Sequence, residues 1–261
     1  VTIAIDAMGG DYGPSVTIEG AAKALPYLLK KHESVTYQFY GDEKKITPYF
    51  IQFPPLKDIS TIIHTDDVVP SDEKPSVALR TRKQSSMALS IQAVKAGDAD
   101  CVISAGNTGA LMAMAKLILR PQPSVQRPAI GTVLPTMQNP TLMLDLGANV
   151  SCTDENLAQF AVMGAVYARV IMKNDNPRVG ILNIGSEDTK GHEDVQEAAR
   201  ILGSTTHFPG QYHGFIEGDD IGKGTVDVVV TDGFTGNVAL KTAEGIGKMS
   251  QQFIRDTFKS S

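Results

Sequence analysis

Short runs rich in β-branched residues alternate with longer stretches of helical character along almost the whole chain of 261 residues. The runs that predict strands are 2–6, 35–40, 59–64, 101–104, 129–134, 141–145, 178–183 and 226–230. The stretches that predict helices are 14–31, a polar segment before 59, 77–96, 109–119, 154–172, 193–202 and the chain from 236 onward. Parallel strands need crossover connections, and those are usually helices. The sequence therefore predicts an α/β fold, a three-layer, doubly wound and mostly parallel sheet.

Two local signals refine this prediction. The stretch 138–140, between two strand-like runs, indicates a hairpin, and Asp154 is the expected cap of the helix 154–172. We expect a single domain over 1–261, and the proline-rich stretch 121–128 suggests two lobes that divide near 121–150.

Composition excludes several classes of protein. With 42% hydrophobic and 20% charged residues, the chain is neither disordered nor fibrous. No apolar run approaches the ~18 residues that span a bilayer, and the first residues lack the cationic start of a signal peptide. The net charge of -5 argues against a general nucleic-acid binder. Two cysteines in a chain of this length favour a reducing cytoplasm.

Five predicted strands run into loops that pair glycine with Asp, Asn, Ser or Thr. These loops are 6–11, 104–109, 145–149, 183–188 and 231–237. Single loops of this type are ordinary turns, but the carboxyl ends of parallel strands share one sheet edge, where ligands bind. Glycine lets backbone N–H groups approach a ligand, and helix N-termini favour anions. None of the loops has a dinucleotide or P-loop motif, so we expect an anion site at one edge.

Two segments supply candidate cations for that site. Arg82 and Lys83 precede the hydroxyls of Ser85 and Ser86, a combination that suits phosphate. The alternative is a solvated basic helix face. Lys190 follows a glycine-containing loop and precedes Gly191, where it could neutralise an anion or a developing oxyanion. The alternative is an ordinary surface lysine.

Nucleophiles and metal ligands are poorly represented. Cys101 falls within an apparently buried strand, and Cys152 has no histidine near it in sequence. The five histidines show no metal-binding spacing. The acidic segment 217–220 could hold a cation, but it fits a cap or a turn better. We therefore expect no metal and no covalent catalysis, only the positioning of anionic reactants.

Four motifs together resemble the PlsX family of bacterial phosphate acyltransferases over nearly the whole chain. They are Ile5-Asp-Ala-Met-Gly-Gly-Asp-Tyr-Gly-Pro14, Ser104-Ala-Gly-Asn-Thr-Gly-Ala110, Leu182-Asn-Ile-Gly-Ser-Glu-Asp-Thr-Lys-Gly191 and Asp227-Val-Val-Val-Thr-Asp-Gly-Phe-Thr-Gly-Asn-Val-Ala-Leu-Lys241. The resemblance implies transfer of a long-chain acyl group from acyl carrier protein to inorganic phosphate, giving acyl phosphate for phospholipid (phosphatidic acid) synthesis. It also implies a fold like phosphotransacetylase and isopropylmalate dehydrogenase, no cofactor, and a cytoplasmic homodimer associated peripherally with the inner face of the membrane.

The same resemblance assigns roles to residues. Lys190 and Asn237 are the expected catalytic residues, through phosphate or oxyanion charge and through a hydrogen bond to the carbonyl oxygen. The expected substrate-binding positions besides Arg82, Lys83, Ser85 and Ser86 are Asp6, Gly9, Gly10, Asp11, Ser104, Asn107, Thr108, Asp145, Asn149, Glu187, Asp232 and Thr235. The family continues beyond the position of Ser261, so a C-terminal segment of the family is expected to be missing from this sequence.

Contacts with partners raise two further expectations. Acyl carrier protein is acidic, as is this chain, so docking needs local cations. The candidates are Arg80, Arg82, Lys83 and, more weakly, Lys30 and Lys31. Apolar residues also recur at helical spacing at Ile246, Met249, Phe253, Ile254 and Phe258. This stripe fits a helix packed on the core or on a dimer partner, or one lying on a membrane.

Three rival functions remain open at this point. A short-chain phosphotransacetylase acting on acyl-coenzyme A shares the chemistry. An isopropylmalate-type dehydrogenase shares the fold but needs nicotinamide and metal sites. A non-enzymatic acyl-binding or membrane scaffold protein needs no turnover at all.

Overall fold

The computed structural model describes residues 1–259, and the chain divides into two compact units, Val1–Gln122 and Pro123–Ser261. We call them unit 1 and unit 2. Residues 1–259 form nine strands and nine α-helices. The predicted α/β class, with mostly parallel strands and connecting helices, is confirmed.

Unit 1 contains a four-stranded parallel sheet in the order β3-β2-β1-β4. Its elements are β1 (Thr2–Asp6), α1 (Pro14–Leu28), β2 (Thr36–Gly41), α2 (Glu43–Gln52), a short 3-10 helix (Pro54–Ile59), β3 (Ser60–His64), α3 (Pro75–Thr81), α4 (Ser86–Ala96), β4 (Cys101–Ser104) and α5 (Thr108–Leu119). Ile3, Ile18 and Phe39 belong to its main apolar core. Because β1 and β4 are neighbours, the loops after them lie at the same sheet edge.

Unit 2 contains a five-stranded sheet in the order β5-β6-β9-β7-β8. Its elements are β5 (Gly131–Leu134), β6 (Thr141–Leu144), α6 (Asp154–Val170), β7 (Arg178–Leu182), α7 (Glu193–Ser204), β8 (Gln211–Ile216), α8 (Gly218–Lys223), β9 (Val228–Val230) and α9 (Gly233–Lys259). Only β5 is antiparallel, and it forms the predicted hairpin with β6. Phe160, Ile181 and Val228 are fully buried in the core.

Local sequence explains several helix boundaries. Pro14 occupies the first turn of α1, where its missing N–H has no helical partner to lose. Asn107 caps α5, since its side-chain oxygen accepts from the N–H of Ala110 at 2.9 Å. Gly97 ends α4 in the left-handed conformation, at φ 84°.

The structure corrects four expectations. The five glycine loops do not share one sheet edge, because two follow strands of the unit 1 sheet and three follow strands of the unit 2 sheet. Thr153, and not Asp154, caps α6, through a reciprocal pair of hydrogen bonds with Asn156. Strand β8 and helix α8 were not predicted. Cys101 is exposed, on the same exposed face of β4 as Ile103.

Helix α9 carries the apolar stripe noted in the sequence. Its members are between 50% and 80% exposed, so the stripe does not pack on the core. Within the described residues, no helix combines the length and the apolar character needed to cross a bilayer.

Candidate active site

In unit 1, the loops after β1 and β4 are joined by a buried carboxylate. Asp6 is 1% exposed, and its Oδ2 accepts from the hydroxyl of Ser104 at 2.7 Å. The Ser104 oxygen in turn accepts from the N–H of Gly106 at 3.1 Å. Oδ1 of Asp6 is buried and has no hydrogen-bond partner in residues 1–259. A side chain at Gly9 would meet Asp6 Oδ2 at 2.6 Å and the backbone nitrogen of Gly106 in the loop after β4 at 2.8 Å, so the close approach of the two loops requires glycine there.

These loops form part of a cavity of about 760 Å³ within unit 1. Its lining includes Gly10, Asp11, Asn107 and Thr108, four of the predicted binding residues. The loop 68–71 forms the opposite wall. The side-chain amide of Asn107 holds this loop by donating to the carbonyls of Ser71 and Glu73, each at 2.9 Å. The cavity therefore combines helix N-terminal backbone with a fixed loop, an arrangement that accommodates a polar or anionic ligand group.

The basic segment after α3 is engaged in internal contacts. Arg82 donates to Asp67 at 3.0 Å and to Glu73 at 3.1 Å. Hydrogen bonds with Glu73 and then Asp67 raise the pKa of Arg82. Ser85 caps α4, and both Ser85 and Ser86 are fully buried. These contacts argue against direct phosphate binding by Arg82, Ser85 and Ser86, because the groups are already used or covered; Lys83 is exposed.

In unit 2, Asp145 is an acceptor for five N–H groups. Oδ1 accepts from the backbone of Ile130, Gly147 and Ala148 at 2.9, 3.3 and 3.0 Å. Oδ2 accepts from the backbone and the side chain of Asn149 at 2.8 and 2.9 Å. Asp145 is 0% exposed, so it shapes the loop from inside and leaves no free face for a ligand. Asn149 is also mostly buried, and its amide reaches the carbonyl of Pro128 at 2.8 Å.

The start of α9 packs against this loop. Asp232 accepts from the N–H and the hydroxyl of Thr235, both at 2.8 Å. These two predicted binding residues therefore form a cap, and both line a cavity of about 260 Å³ that also contains Cys152. Asn237 is exposed one turn later and lies close to Gly147.

The loop after β7 presents Lys190. The backbone N–H of Lys190 donates to the carbonyl of Glu187 at 3.0 Å. The carbonyl of Lys190 accepts from Asn183 and Gln196 at 3.1 and 3.3 Å. Within residues 1–259 its exposed ammonium group forms no ion pair. The charge of Lys190 is thus free for a ligand, on a backbone that is held in place.

Strand order brings these features of unit 2 together. Strand β9 lies between β6 and β7 and is parallel to both. The loops that carry Asp145 and Lys190 and the start of α9, which carries Asn237, are therefore neighbours at one sheet edge, as expected for these three. The sequence does not predict the hydrogen bonds from Gln196 to this loop, because the seven-residue separation between Gln196 and Thr189 matches no known motif.

The thiols are unsuited to nucleophilic catalysis. Burial, followed by the nearby charges of Asp145 and Asp232, raises the pKa of Cys152 to about 11. Only a very small fraction is therefore thiolate near neutral pH. Partial burial and Asp100 also raise the pKa of Cys101.

One cluster in the described residues brings together possible metal ligands, Asp42, His64 and Asp66. Nδ1 of His64 accepts from the N–H of Glu43 at 3.2 Å. Its neutral ring therefore carries the proton on Nε2, which faces Asp66 at 3.7 Å. A metal at Nδ1 would displace the hydrogen bond from Glu43, and a metal at Nε2 would replace the ring proton on that nitrogen.

Comparison with known proteins identifies relatives over the full sequence. The profile of a family described as "Fatty acid synthesis protein" matches residues 1–261. A protein named phosphate acyltransferase from Rhodospirillum centenum is 52% identical over 259 residues, which are 99% of this chain and 72% of that protein. A second protein of that name, from Paramagnetospirillum magneticum, is 50% identical over 261 residues, 100% of this chain and 73% of that protein.

Two solved structures share the fold. EutD phosphotransacetylase from Staphylococcus aureus has a TM-score of 0.68 at 19% identity, covering 95% of this chain and 82% of that one. A branched-chain phosphotransacylase from Enterococcus faecalis has a TM-score of 0.63 at 13% identity, covering 95% and 85%. The phosphotransacetylase-like α/β fold is confirmed. The sequence matches also confirm the resemblance drawn from the four motifs: the chain belongs to the PlsX family of phosphate acyltransferases.

Proposed function

We propose that this protein transfers a long-chain fatty acyl group from acyl carrier protein to inorganic phosphate, giving acyl phosphate for phosphatidic acid synthesis. Membership of an acyltransferase family supports the reaction class. The observation that carries the proposal is the sheet edge of unit 2, where Lys190 has an unpaired charge on a hydrogen-bonded loop, beside the strand end from which the helix of Asn237 begins.

Direct attack by phosphate requires no nucleophile from the protein. A phosphate oxygen forms a bond to the thioester carbonyl carbon, and the carbonyl oxygen becomes an oxyanion. When this tetrahedral intermediate collapses, the C–S bond breaks and the thiolate leaves, taking up a proton from solvent. The protein must hold phosphate against the carbonyl and stabilise the negative charge. The high pKa of Cys152 agrees with a route that avoids an enzyme thioester.

Two residues have assigned roles in this step. Lys190 neutralises phosphate or the developing oxyanion, and Asn237 donates from its side-chain amide to the carbonyl oxygen. Both side chains are exposed at neighbouring strand ends. Asp145, Asn149 and Asp232 support these two residues indirectly, because their polar atoms form hydrogen bonds that fix the loops.

The proposed partners follow from the exposed surface. Lys83 is better placed than Arg82 to meet an acidic carrier protein, since Lys83 is exposed and Arg82 is neutralised by Asp67 and Glu73. The apolar stripe of α9, with Phe253 and Phe258 exposed, suits a homodimer contact or peripheral attachment to the inner membrane face. Liposome flotation with both phenylalanines replaced by Ser separates these two roles.

The decisive test measures acyl phosphate from palmitoyl carrier protein with phosphate present and absent. We expect product only with phosphate, and a much lower rate from acetyl-coenzyme A. A faster reaction with acetyl-coenzyme A would instead identify a short-chain phosphotransacetylase. No turnover with either donor would indicate a binding or scaffold protein.

A further inference from the structure

The loop that presents Lys190 is held from two sides by side-chain amides. Nδ2 of Asn183 donates to the carbonyl of Lys190 at 3.1 Å, and Oδ1 of Asn183 accepts from the N–H of Ile184 at 2.9 Å. Asn183 is 9% exposed and directly follows β7. It therefore ties the far end of the loop back to the strand from which the loop starts.

Gln196 holds the same segment from the helix side. Its Nε2 lies 3.1, 3.3 and 3.2 Å from the carbonyls of Thr189, Lys190 and Gly191. Gln196 is half-buried in the first turn of α7, so its position is set by a regular helix. A single side-chain amide thus lies within hydrogen-bond distance of three consecutive backbone carbonyls, those of Lys190 and its two neighbours.

Gly191 completes the arrangement. It has a φ of 88°, in the left-handed region, and a side chain there would collide with Oδ1 of Asn183. The chain can turn beneath Asn183 only because position 191 is glycine.

We propose that Gln196 is a positioning residue for Lys190, with Asn183 as its counterpart, and that this clamp fixes the backbone from which the lysine reaches its ligand. The inference rests on the proposed function, in which Lys190 carries charge stabilisation. An exposed loop would otherwise sample many conformations, and displacement of a catalytic group by about 1 Å can lower a rate up to a hundredfold. Gln196 itself contacts only backbone and makes no contact with reactants.

The first test compares Gln196→Ala and the isosteric Gln196→Glu in the full chain. We expect kcat for acyl phosphate formation to fall about tenfold in both, because neither side chain donates to the carbonyls. The KM for the acyl donor should change little. Gln252→Ala is the control, since Gln252 lies on the exposed α9 and donates to Asp256 at 2.8 Å. Wild-type kcat in Gln196→Ala would overturn the proposal, as would full activity in Gln196→Glu.

A double-mutant cycle tests whether Gln196 acts through Lys190. Gln196→Ala should have no further effect on kcat in a Lys190→Ala background, because the group being positioned is gone. An undiminished tenfold effect in that background would refute the positioning role. Loss of turnover in the wild type, or full activity in Lys190→Ala alone, would instead count against the proposed function.

Trypsin provides a readout that is independent of activity, because it cleaves after lysine at the very carbonyl that the clamp holds. Nicking at Lys190–Gly191 should become about fivefold faster in Gln196→Ala, while nicking at Lys45–Ile46 in unit 1 stays unchanged. Equal acceleration at both bonds would indicate general destabilisation, and no acceleration at Lys190 would show that Gln196 does not hold the loop; either result contradicts the proposal.

Discussion

Asp145 binds Asn149 twice, because a single oxygen of its carboxylate accepts both the backbone N–H and the side-chain amide of Asn149, at 2.8 and 2.9 Å. The second oxygen collects three further backbone N–H groups. A fully buried carboxylate with this many donors is an internal support for the loop.

Asp145→Asn should therefore lower the stability of the fold and have no direct effect on phosphate binding. The amide would replace one acceptor oxygen by an NH₂ group that faces N–H donors. We expect the free energy of unfolding to fall by about 3 kcal/mol, as when one partner of a buried charged network is lost. Urea unfolding at pH 7 measures this. Unchanged stability with a raised KM for phosphate would instead assign Asp145 to the ligand.

Gly236 is predicted to tolerate no side chain. A β-carbon there would collide with the backbone oxygen of Asp145 and would lie 3.0 Å from Cγ2 of Thr231. Gly236→Ala should lower the free energy of unfolding by about 3 kcal/mol. Gly245→Ala is the matched control on the same helix, where nothing lies within 4 Å, and it should stabilise the helix by up to about 1 kcal/mol. Equal effects of the two substitutions on thermal unfolding would contradict the packing argument.

Alternation of strands and helices was readable from the sequence because β-branched runs and apolar periodicity are local properties. The hairpin of β5 and β6 was predicted in this way. The division into two sheets was not, since strand order depends on pairing between distant segments. Strand β8 contains Gly214 and His213 and lacks a clear strand pattern, so its place at the sheet edge was missed.

The candidate site residues show the same difference between local sequence signals and contacts between distant segments. Lys190, Asn107 and Asp6 could be selected as candidates because glycine-rich loops after strands are recognisable motifs, and their roles stay predictions. Their contacts were not, because a hydrogen bond such as that from Gln196 to the Lys190 carbonyl depends on how a helix packs beside a loop. The spacing around Arg82 suggests a phosphate ligand, whereas its ion pairs with Asp67 and Glu73 depend on the fold and could not be read from the sequence.

Lys190→Ala should lower kcat/KM for acyl phosphate formation by roughly 100- to 1000-fold, the usual effect of removing one group that stabilises an oxyanion. Asn237→Ala should give a smaller loss, because it removes a neutral donor. Both side chains are exposed, so thermal unfolding should shift little. Steady-state assays on both variants measure the effect, and wild-type rates would remove these two assignments.

Cys152 should make stability fall at alkaline pH. Its pKa in the folded protein is about 11, against 9.0 for an unperturbed thiol, so the folded state holds its proton more tightly. The protonated thiol makes its full contribution to the free energy of unfolding below about pH 9. This contribution, at most about 3 kcal/mol, is lost as the pH rises towards 11. Measuring the pH dependence of unfolding in wild type and in Cys152→Ala separates the contribution of the thiol from that of tyrosine ionisation, which both proteins share. Parallel pH profiles for wild type and variant would show that the thiol contributes nothing.

Charge reversal distinguishes residues of the basic segment that bind acyl carrier protein from residues that stabilise the fold. Lys83 is exposed and forms no ion pair within residues 1–259, so Lys83→Glu should raise the KM for acyl carrier protein about fivefold without changing stability. The difference should shrink at high salt, because screening weakens attraction between exposed charges.

Arg82→Glu should behave differently, since it would place a third carboxylate beside Asp67 and Glu73. We expect a lower melting temperature and a disturbed 67–74 loop, which lines the cavity of unit 1. Kinetics of Arg82→Glu alone therefore cannot identify a docking surface, whereas Lys83→Glu can. An unchanged carrier-protein KM in Lys83→Glu would exclude Lys83 and direct the search to Arg80, Lys30 and Lys31, which are also exposed.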